Sequence, residues 1–164
     1  MFGALVIGKG AVVEMGFCDF LVSGKIQNNG TLEIVQNNLI INGTFENYEK
    51  FITAYNTVIT VNGELITFQD SSITHDLSGP VNNLVLNNSF TNNGELMVLD
   101  ITNNSNFTNN NLIGNSTTNR GSSFIENTQN SEFINRGVAR SWIRNEGTFI
   151  NMTIGTIKNY IRVY

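Results

Sequence analysis

Large apolar residues followed closely by asparagine recur along this chain at a spacing of about 16 or 17 residues. The clearest instances begin at Phe90, Phe107, Phe124 and Trp142, each with Asn two or three positions later. Further instances begin at Ile26, Ile40, Ile59 and Ile157, and Ile73 is the best candidate for a faint turn between Ile59 and Phe90. A fixed period indicates a chain built from stacked units, and a unit this short is typical of one coil of a β-solenoid.

Within one unit, apolar residues recur every five or six positions, as at Phe90, Leu96, Ile101 and Phe107. Three such positions per unit predict three short strands and a triangular cross-section. We therefore predict an all-β fold, a single-stranded and right-handed β-solenoid of about nine coils of 16–17 residues, forming one domain over residues 1–164. A four-sided pentapeptide-repeat solenoid is the second interpretation. For residues 44–56 the spacing of apolar residues also allows an inserted helical turn, although two strands are favoured.

Asparagine is unusually frequent, with 28 copies among the 164 residues. In coils stacked about 4.8 Å apart, equivalent Asn side chains lie above one another and can hydrogen-bond as a ladder. Asn-Gly dipeptides at Asn29, Asn42, Asn62 and Asn93 each precede an apolar stretch, which favours a corner before a strand. The sequence therefore predicts an Asn ladder beside a core stack, which we assign to Phe90, Phe107, Phe124 and Trp142.

Residues suited to catalysis or metal binding are scarce. The chain has a single His, His75, and a single Cys, Cys18, which are too few for a zinc site or a disulfide. No nucleophile motif surrounds His75. We therefore expect no enzymatic activity, no cofactor and no metal. The N-terminal segment is interrupted by Lys9, Glu14 and Asp19 and has no basic start, so we expect neither a signal peptide nor a membrane span.

Charge is distributed unevenly along the chain. Residues 1–119 carry 3 Lys and Arg against 10 Asp and Glu, whereas residues 120–164 carry 6 against 3. In a solenoid, sequence position corresponds to axial position, so the molecule is predicted to be acidic at one end and basic at the other. We assign the basic end, a predicted assembly interface, to Arg136, Arg140, Arg144 and Arg162. So few cations argue against nucleic acid as a partner.

The two ends of a β-solenoid present unpaired backbone groups on which another strand can add. Because the apolar N-terminus and the strand-like C-terminus do not resemble caps, we predict a structural protein that associates with itself head to tail in a filament, appendage or fibre. The alternative is a receptor- or glycan-binding fibre or adhesin module, trimeric like a phage tail spike. A filament requires open ends, whereas a trimer requires an apolar outer face along the coils.

The segments Val6–Glu14, Ser23–Ile26 and Gly30–Ile34 resemble bactofilins, bacterial cytoskeletal proteins with a right-handed triangular β-helix. This resemblance covers about the first 35 residues and implies polymerisation through the ends without nucleotide, in the cytoplasm. The Asn-rich remainder looks more like surface adhesins and the fibre shafts of phages and viruses. That second likeness implies an extracellular filament, a cell surface or a virion.

Overall fold

The computed structural model describes residues 3–16, 19–35, 38–54, 57–75, 82–97, 99–114, 124–152, 156–157 and 161–163, which form 24 strands and no helix. The first twelve strands are β1 (Ala4–Ile7), β2 (Val12–Gly16), β3 (Phe20–Val22), β4 (Lys25–Asn28), β5 (Thr31–Val35), β6 (Asn38–Ile41), β7 (Thr44–Asn47), β8 (Lys50–Ala54), β9 (Val58–Val61), β10 (Glu64–Thr67), β11 (Ser72–His75) and β12 (Asn82–Leu86). The remaining strands are β13 (Phe90–Asn92), β14 (Glu95–Met97), β15 (Leu99–Asn103), β16 (Asn106–Asn109), β17 (Leu112–Ile113), β18 (Phe124–Asn127), β19 (Glu132–Asn135), β20 (Val138–Ala139), β21 (Trp142–Asn145), β22 (Thr148–Asn151), β23 (Thr156–Ile157) and β24 (Ile161–Val163).

The strands form three parallel sheets, each of eight strands. Every third strand belongs to the same sheet, so the first sheet runs from β1 to β22, the second from β2 to β23 and the third from β3 to β24. Three consecutive strands make one coil, and each strand pairs with its equivalent in the next coil. The predicted all-β solenoid with three strands per coil is confirmed. The right-handed sense stays a prediction. The 24 described strands make eight such coils, so the predicted total of about nine is not confirmed.

The interior is filled by columns of inward-facing side chains that stack from coil to coil. In the first sheet, Phe90, Phe107 and Phe133 are at most 1% exposed, and the partly buried Phe149 continues the column. Successive ring centroids lie 5.0, 4.8 and 5.2 Å apart along these four residues. Rings stacked at this spacing gain contact energy beyond the burial of their area. The other two sheets contribute mainly aliphatic side chains to the same core, together with the buried Phe51 of β8.

Phe124 and Trp142 do not lie in this column, so our assignment of them to the core stack was wrong. They pair with each other on β18 and β21 of the third sheet, and they are 38% and 42% exposed. Phe90 and Phe107 pair on β13 and β16 of the first sheet and are buried. The column continues instead through Phe133 and Phe149.

Phe124 and Trp142 were misassigned because the number of residues between the apolar side chain and the asparagine differs from strand to strand. In β16, Phe107 and Asn109 are two positions apart and both face inward. In β18, Ile125 stands two positions before the buried Asn127, whereas Phe124 stands three positions before it. Because side chains alternate between the two faces of a strand, one position moves a residue from the core to the surface.

The coils also differ in length more than the repeat predicts. Residues joined along the ladder of the first sheet are separated by 25, 17, 26 and 16 positions from Thr67 to Asn151. The predicted coil length of 16–17 residues therefore applies to only some of the coils. The two long coils contain residues 76–81 and 115–123, which lie outside the described part of the chain.

The predicted corners and strands around the Asn-Gly dipeptides are confirmed. The strands β5, β7, β10 and β14 each begin directly after one of them. At one corner the glycines themselves stack, because a Cβ on Gly24, Gly43 or Gly63 would meet the carbonyl oxygen of the glycine in the preceding coil. Residues 44–54 form β7 and β8 with no helical turn.

Candidate interaction surfaces

A buried asparagine ladder runs beside the phenylalanine column. The side-chain amides of Asn92, Asn109 and Asn135 each donate to the Oδ1 atom of the next Asn, ending at Asn151, and each bond is 2.8 Å long. In the coil before Asn92, Thr67 replaces Asn and its hydroxyl donates to Asn92 Oδ1 at 2.6 Å. The predicted ladder is confirmed, and it supplies the hydrogen bonds that buried amides require.

Two further ladders lie at the end of the third sheet. One is buried and joins Asn103, Asn127 and Asn145 through bonds of 2.7 and 2.6 Å. The other is exposed, its bonds are 2.9 Å long, and it joins Asn42, Asn62, Asn87 and Asn104. Amides of the buried ladders donate toward the C-terminal coils, whereas those of the exposed ladder donate toward the N-terminal coils. The Asn side chains at the corners therefore find most of their hydrogen-bond partners in neighbouring coils.

The first coil forms one end of the described solenoid. Its strands β1, β2 and β3 each have a single neighbour in the described sheets. The inward-facing Leu5 of β1 is 36% exposed, whereas Ile26, directly aligned with it in the next coil, is 4% exposed. Terminal strands of this kind have backbone N–H and C=O groups available for a further strand.

An apolar cavity of about 580 Å³ opens at this end. Its walls include the inward-facing Met15 and Phe20 of the first coil and Leu32 and Leu39 of the second. Leu32 and Leu39 are almost fully buried, while Met15 and Phe20 are only partly buried. The hydrophobic core is therefore incompletely covered at the N-terminal end of the described chain.

Exposed large apolar side chains occur in two groups far apart along the axis. Within the described residues, none lies between positions 25 and 114. The group in the first coil consists of Leu5, Val6, Val12 and Leu21. The group in the C-terminal coils consists of Phe124, Trp142, Ile150 and Met152. The central coils consequently lack an exposed apolar stripe among the side chains that the structure describes.

On the outer face of the third sheet, Phe124 and Trp142 lie next to charged side chains. Asp100 of β15 is aligned with Phe124, whose backbone N–H donates to Asp100 Oδ1 at 3.0 Å. Burial raises the pKa of Asp100 above its usual value, and the hydrogen bond from Phe124 opposes this effect. Asp100 is thus a partly desolvated carboxyl group beside an exposed aromatic pair.

The four arginines assigned to the basic end differ in their exposure and in their contacts. Arg136 is exposed in the turn between β19 and β20, and Arg140 is partly buried in the turn between β20 and β21. Arg144 lies on β21 and forms ion pairs with Glu126 at 3.2 Å and Glu146 at 2.7 Å. Arg162 belongs to β24, where its backbone is aligned with that of Arg144, and its side chain lies outside the described residues. Their role in assembly stays a prediction.

A smaller polar cluster that the sequence analysis missed lies on the first sheet near the N-terminal end. Lys25 Nζ lies 2.7 Å from Glu46 Oε1, and the hydroxyl of Tyr48 donates to Glu46 Oε2 at 3.0 Å. The hydrogen bond with Lys25 lowers the pKa of Glu46, and the pKa of Lys25 is raised in return. Tyr48 stacks on Phe68 with ring centroids 3.9 Å apart. The pair is diagonal, because Lys25 is aligned with Thr44 and Glu46 with Gln27, so the repeat gave no signal for it.

Within the residues that the structure describes, no three His, Cys, Asp or Glu side chains come together as a metal site. The side chain of His75 and all of Cys18 lie outside them. No helix in the described chain is long and apolar enough to cross a membrane.

Comparisons with models of protein families, with curated proteins and with solved structures gave no match.

Proposed function

We propose that this protein is a structural subunit that associates with itself end to end, with the first coil of one copy receiving the C-terminal coil of another. The observation that carries the proposal is the incompletely covered core of the first coil, where the inward-facing Leu5 is 36% exposed and an apolar cavity of about 580 Å³ opens. Association through the ends covers apolar surface that otherwise faces water.

The geometry of stacking supports this arrangement. Each end presents one strand from each of the three sheets, β1 to β3 at one end and β22 to β24 at the other. All strands within a sheet are parallel, so a second copy can extend all three sheets with the same strand direction. In that arrangement Phe149 of one copy continues the apolar column onto Leu5 of the next. Such a heterologous contact repeats itself and produces a filament.

The distribution of charge along the chain supports a head-to-tail arrangement of the copies. The acidic residues dominate positions 1–119 and the basic residues dominate positions 120–164. Opposite charges at the two ends favour head-to-tail encounter over head-to-head encounter, and the attraction weakens as salt increases.

A lateral trimer has less support. It requires apolar side chains along the outer face of successive coils, and none of the described large apolar side chains between positions 25 and 114 is exposed. The outer positions of the central coils are mixed: Glu46 and Thr60 are polar, whereas Ile66 and Val85, which are aligned with them, are apolar but only partly exposed.

Negative-stain electron microscopy and light scattering at low and high salt test the proposal. We expect filaments of uniform width at low salt that shorten at high salt. The variant Leu5→Glu places a charge at the open end of the core and is expected to abolish filaments while retaining a β-rich circular dichroism spectrum. The matched control is Thr91→Glu, on the outer face of a central strand, which is expected to leave filaments intact. Monomeric wild-type protein at every concentration and salt would overturn the proposal.

A further inference from the structure

The outer face of β15, β18 and β21 carries a compact group of five side chains, Asp100, Phe124, Glu126, Trp142 and Arg144, which we name the aromatic–ionic patch. Phe124 and Trp142 are direct neighbours across the two strands, as are Glu126 and Arg144. Asp100 lies beside Phe124 on the other side. The patch lies on the side of the solenoid, away from the terminal strands β1 to β3.

The two aromatic residues are side by side because their strands are adjacent in a parallel sheet, about 4.8 Å apart. They are 38% and 42% exposed, although both belong to strands whose next residues, Ile125 and Ile143, are buried in the core. The backbone beneath them is thus held rigidly by core packing, while the rings remain accessible. Together these two adjacent aromatic side chains form an apolar platform on the outer face of the third sheet.

Hydrogen-bonding groups border this platform. The Arg144 guanidinium is held by Glu126 at 3.2 Å and by Glu146 at 2.7 Å, so it is oriented before any ligand arrives. Asp100 accepts one backbone N–H through Oδ1, and a carboxylate has acceptor capacity beyond one bond. Donors and acceptors therefore lie on two sides of the aromatic pair.

This combination points to carbohydrate chemistry. A pyranose ring has an apolar C–H face that packs on aromatic rings, and equatorial hydroxyl groups that bond to carboxylate and guanidinium groups at its edge. We propose that the aromatic–ionic patch binds a neutral hexopyranose oligosaccharide, with one ring stacked on Trp142 and Phe124 and its hydroxyl groups bonded to Asp100 and Arg144.

A protein partner fits the patch less well. A stable protein interface buries about 800 Å² on each side and has few charged residues at its centre. Here charged side chains border the two rings on two sides, and the neighbouring central coils contribute no exposed large apolar side chain among the described residues. Two aromatic side chains with charged neighbours are better suited to a small ligand that has polar groups at its edge.

Trp142 is the only tryptophan of the chain, so its fluorescence reports on this patch alone. The experiment titrates the full chain with cellohexaose, laminarihexaose, maltohexaose and chitohexaose and records the emission of Trp142. We expect a saturable change with at least one of these oligosaccharides. No saturable change with any of the four would overturn the proposal. An emission change caused by protein concentration alone in the Leu5→Glu variant, in which end-to-end association is expected to be lost, would also overturn it, because it would indicate that a second copy covers the patch.

Variants locate the binding site. Phe124→Ala keeps the fluorescent reporter and removes half of the platform, and it is expected to weaken binding about tenfold or more. Asp100→Asn keeps the acceptor for the Phe124 N–H and is expected to weaken binding less. The matched control is Met152→Ala, which removes a side chain of similar exposure (41%) outside the patch and is expected to leave affinity unchanged. Equal affinity of Phe124→Ala and the wild type would overturn the assignment. Because the patch is lateral, Leu5→Glu is expected to retain sugar binding even where filaments are lost.

Discussion

The side-chain amide of Asn92 donates to Oδ1 of Asn109 at 2.8 Å, and neither residue has exposed surface. The same Asn92 amide also approaches the carbonyl oxygen of Leu112 at 3.3 Å. Each buried Asn is therefore both donor and acceptor in one column, so a polar core position is compatible with stability. The arrangement also specifies the alignment of the coils, since a shift of one residue would break every bond of the ladder.

Replacing Asn109 with Ala is expected to destabilise the protein strongly. The change leaves the Asn92 amide without its Oδ1 acceptor and Asn135 Oδ1 without its donor, and each buried unsatisfied group costs roughly 1–3 kcal/mol. The matched control is the adjacent Asn110→Ala, because Asn110 forms the same type of bond, 2.8 Å to Asn93, in an exposed position. Urea denaturation of both variants measures the difference. Equal losses in the free energy of unfolding would contradict the prediction, because they would mean that a buried ladder bond contributes no more than an exposed one.

Phe107→Ala is expected to lower the free energy of unfolding by about 3–5 kcal/mol, because it leaves a cavity between Phe90 and Phe133 in the stacked column. Phe124→Ala removes the same side chain from the outer face of the third sheet, where 38% of it is exposed, and is expected to cost less than about 1 kcal/mol. Thermal denaturation followed by circular dichroism compares them. A larger loss for Phe124→Ala would contradict the placement of these two rings.

Gly43→Ala is expected to destabilise the corner at which the glycines stack. An added Cβ would meet the carbonyl oxygen of Gly24, so the coils must move apart, and overpacking of this kind costs roughly 1–3 kcal/mol or more. Gly8→Ala serves as the control, because a Cβ at Gly8 meets no atom within 4 Å. The melting temperatures of the two variants give the comparison, and a similar small change in both would show that the corner can expand.

Asp100→Asn is expected to be more stable than the wild type at neutral pH. Burial raises the pKa of Asp100, so the folded state holds its proton more tightly than the unfolded chain does. By linkage, the contribution of Asp100 to stability is complete below the unfolded value of 3.8 and is lost as the pH rises through the raised pKa of the folded state. Denaturation curves between pH 3 and pH 7, about the range of carboxyl titration, should therefore diverge with rising pH. Parallel curves would contradict the prediction.

Glu46→Gln is a control for which the effect on stability is expected to have the opposite sign to that of Asp100→Asn. The hydrogen bond from Lys25 lowers the pKa of Glu46, so its contribution to stability is present above the ordinary glutamate value of 4.5 and is lost as the pH falls through the lowered pKa. The variant is expected to be slightly less stable than the wild type at neutral pH, with the difference disappearing in acid. The effect is small because Lys25 is partly exposed and the pair is screened by solvent.

Much of the fold could be predicted from sequence because stacking repeats local chemistry. The corners at the Asn-Gly dipeptides, the three strands per coil and the Asn ladder follow from spacing and from the properties of Asn and Gly. The candidate surfaces were less predictable. Trp142 was assigned to the core since a single tryptophan at a repeat position is usually buried, and the distance of three positions to Asn145 was the signal that placed it outside.

The amino-acid sequence alone determined that this chain is a three-sided β-solenoid with Asn side chains stacked at its corners, because identical residues at recurring positions can satisfy one another only when coils are parallel and aligned. Only the tertiary structure decided which residues stack. Phe107 continues into Phe133 instead of Phe124, since coil length varies and a single position exchanges the two faces of a strand. The same alternation placed Phe124 and Trp142, which the repeat correctly aligned with each other, on the surface beside Asp100 and Arg144 instead of in the core.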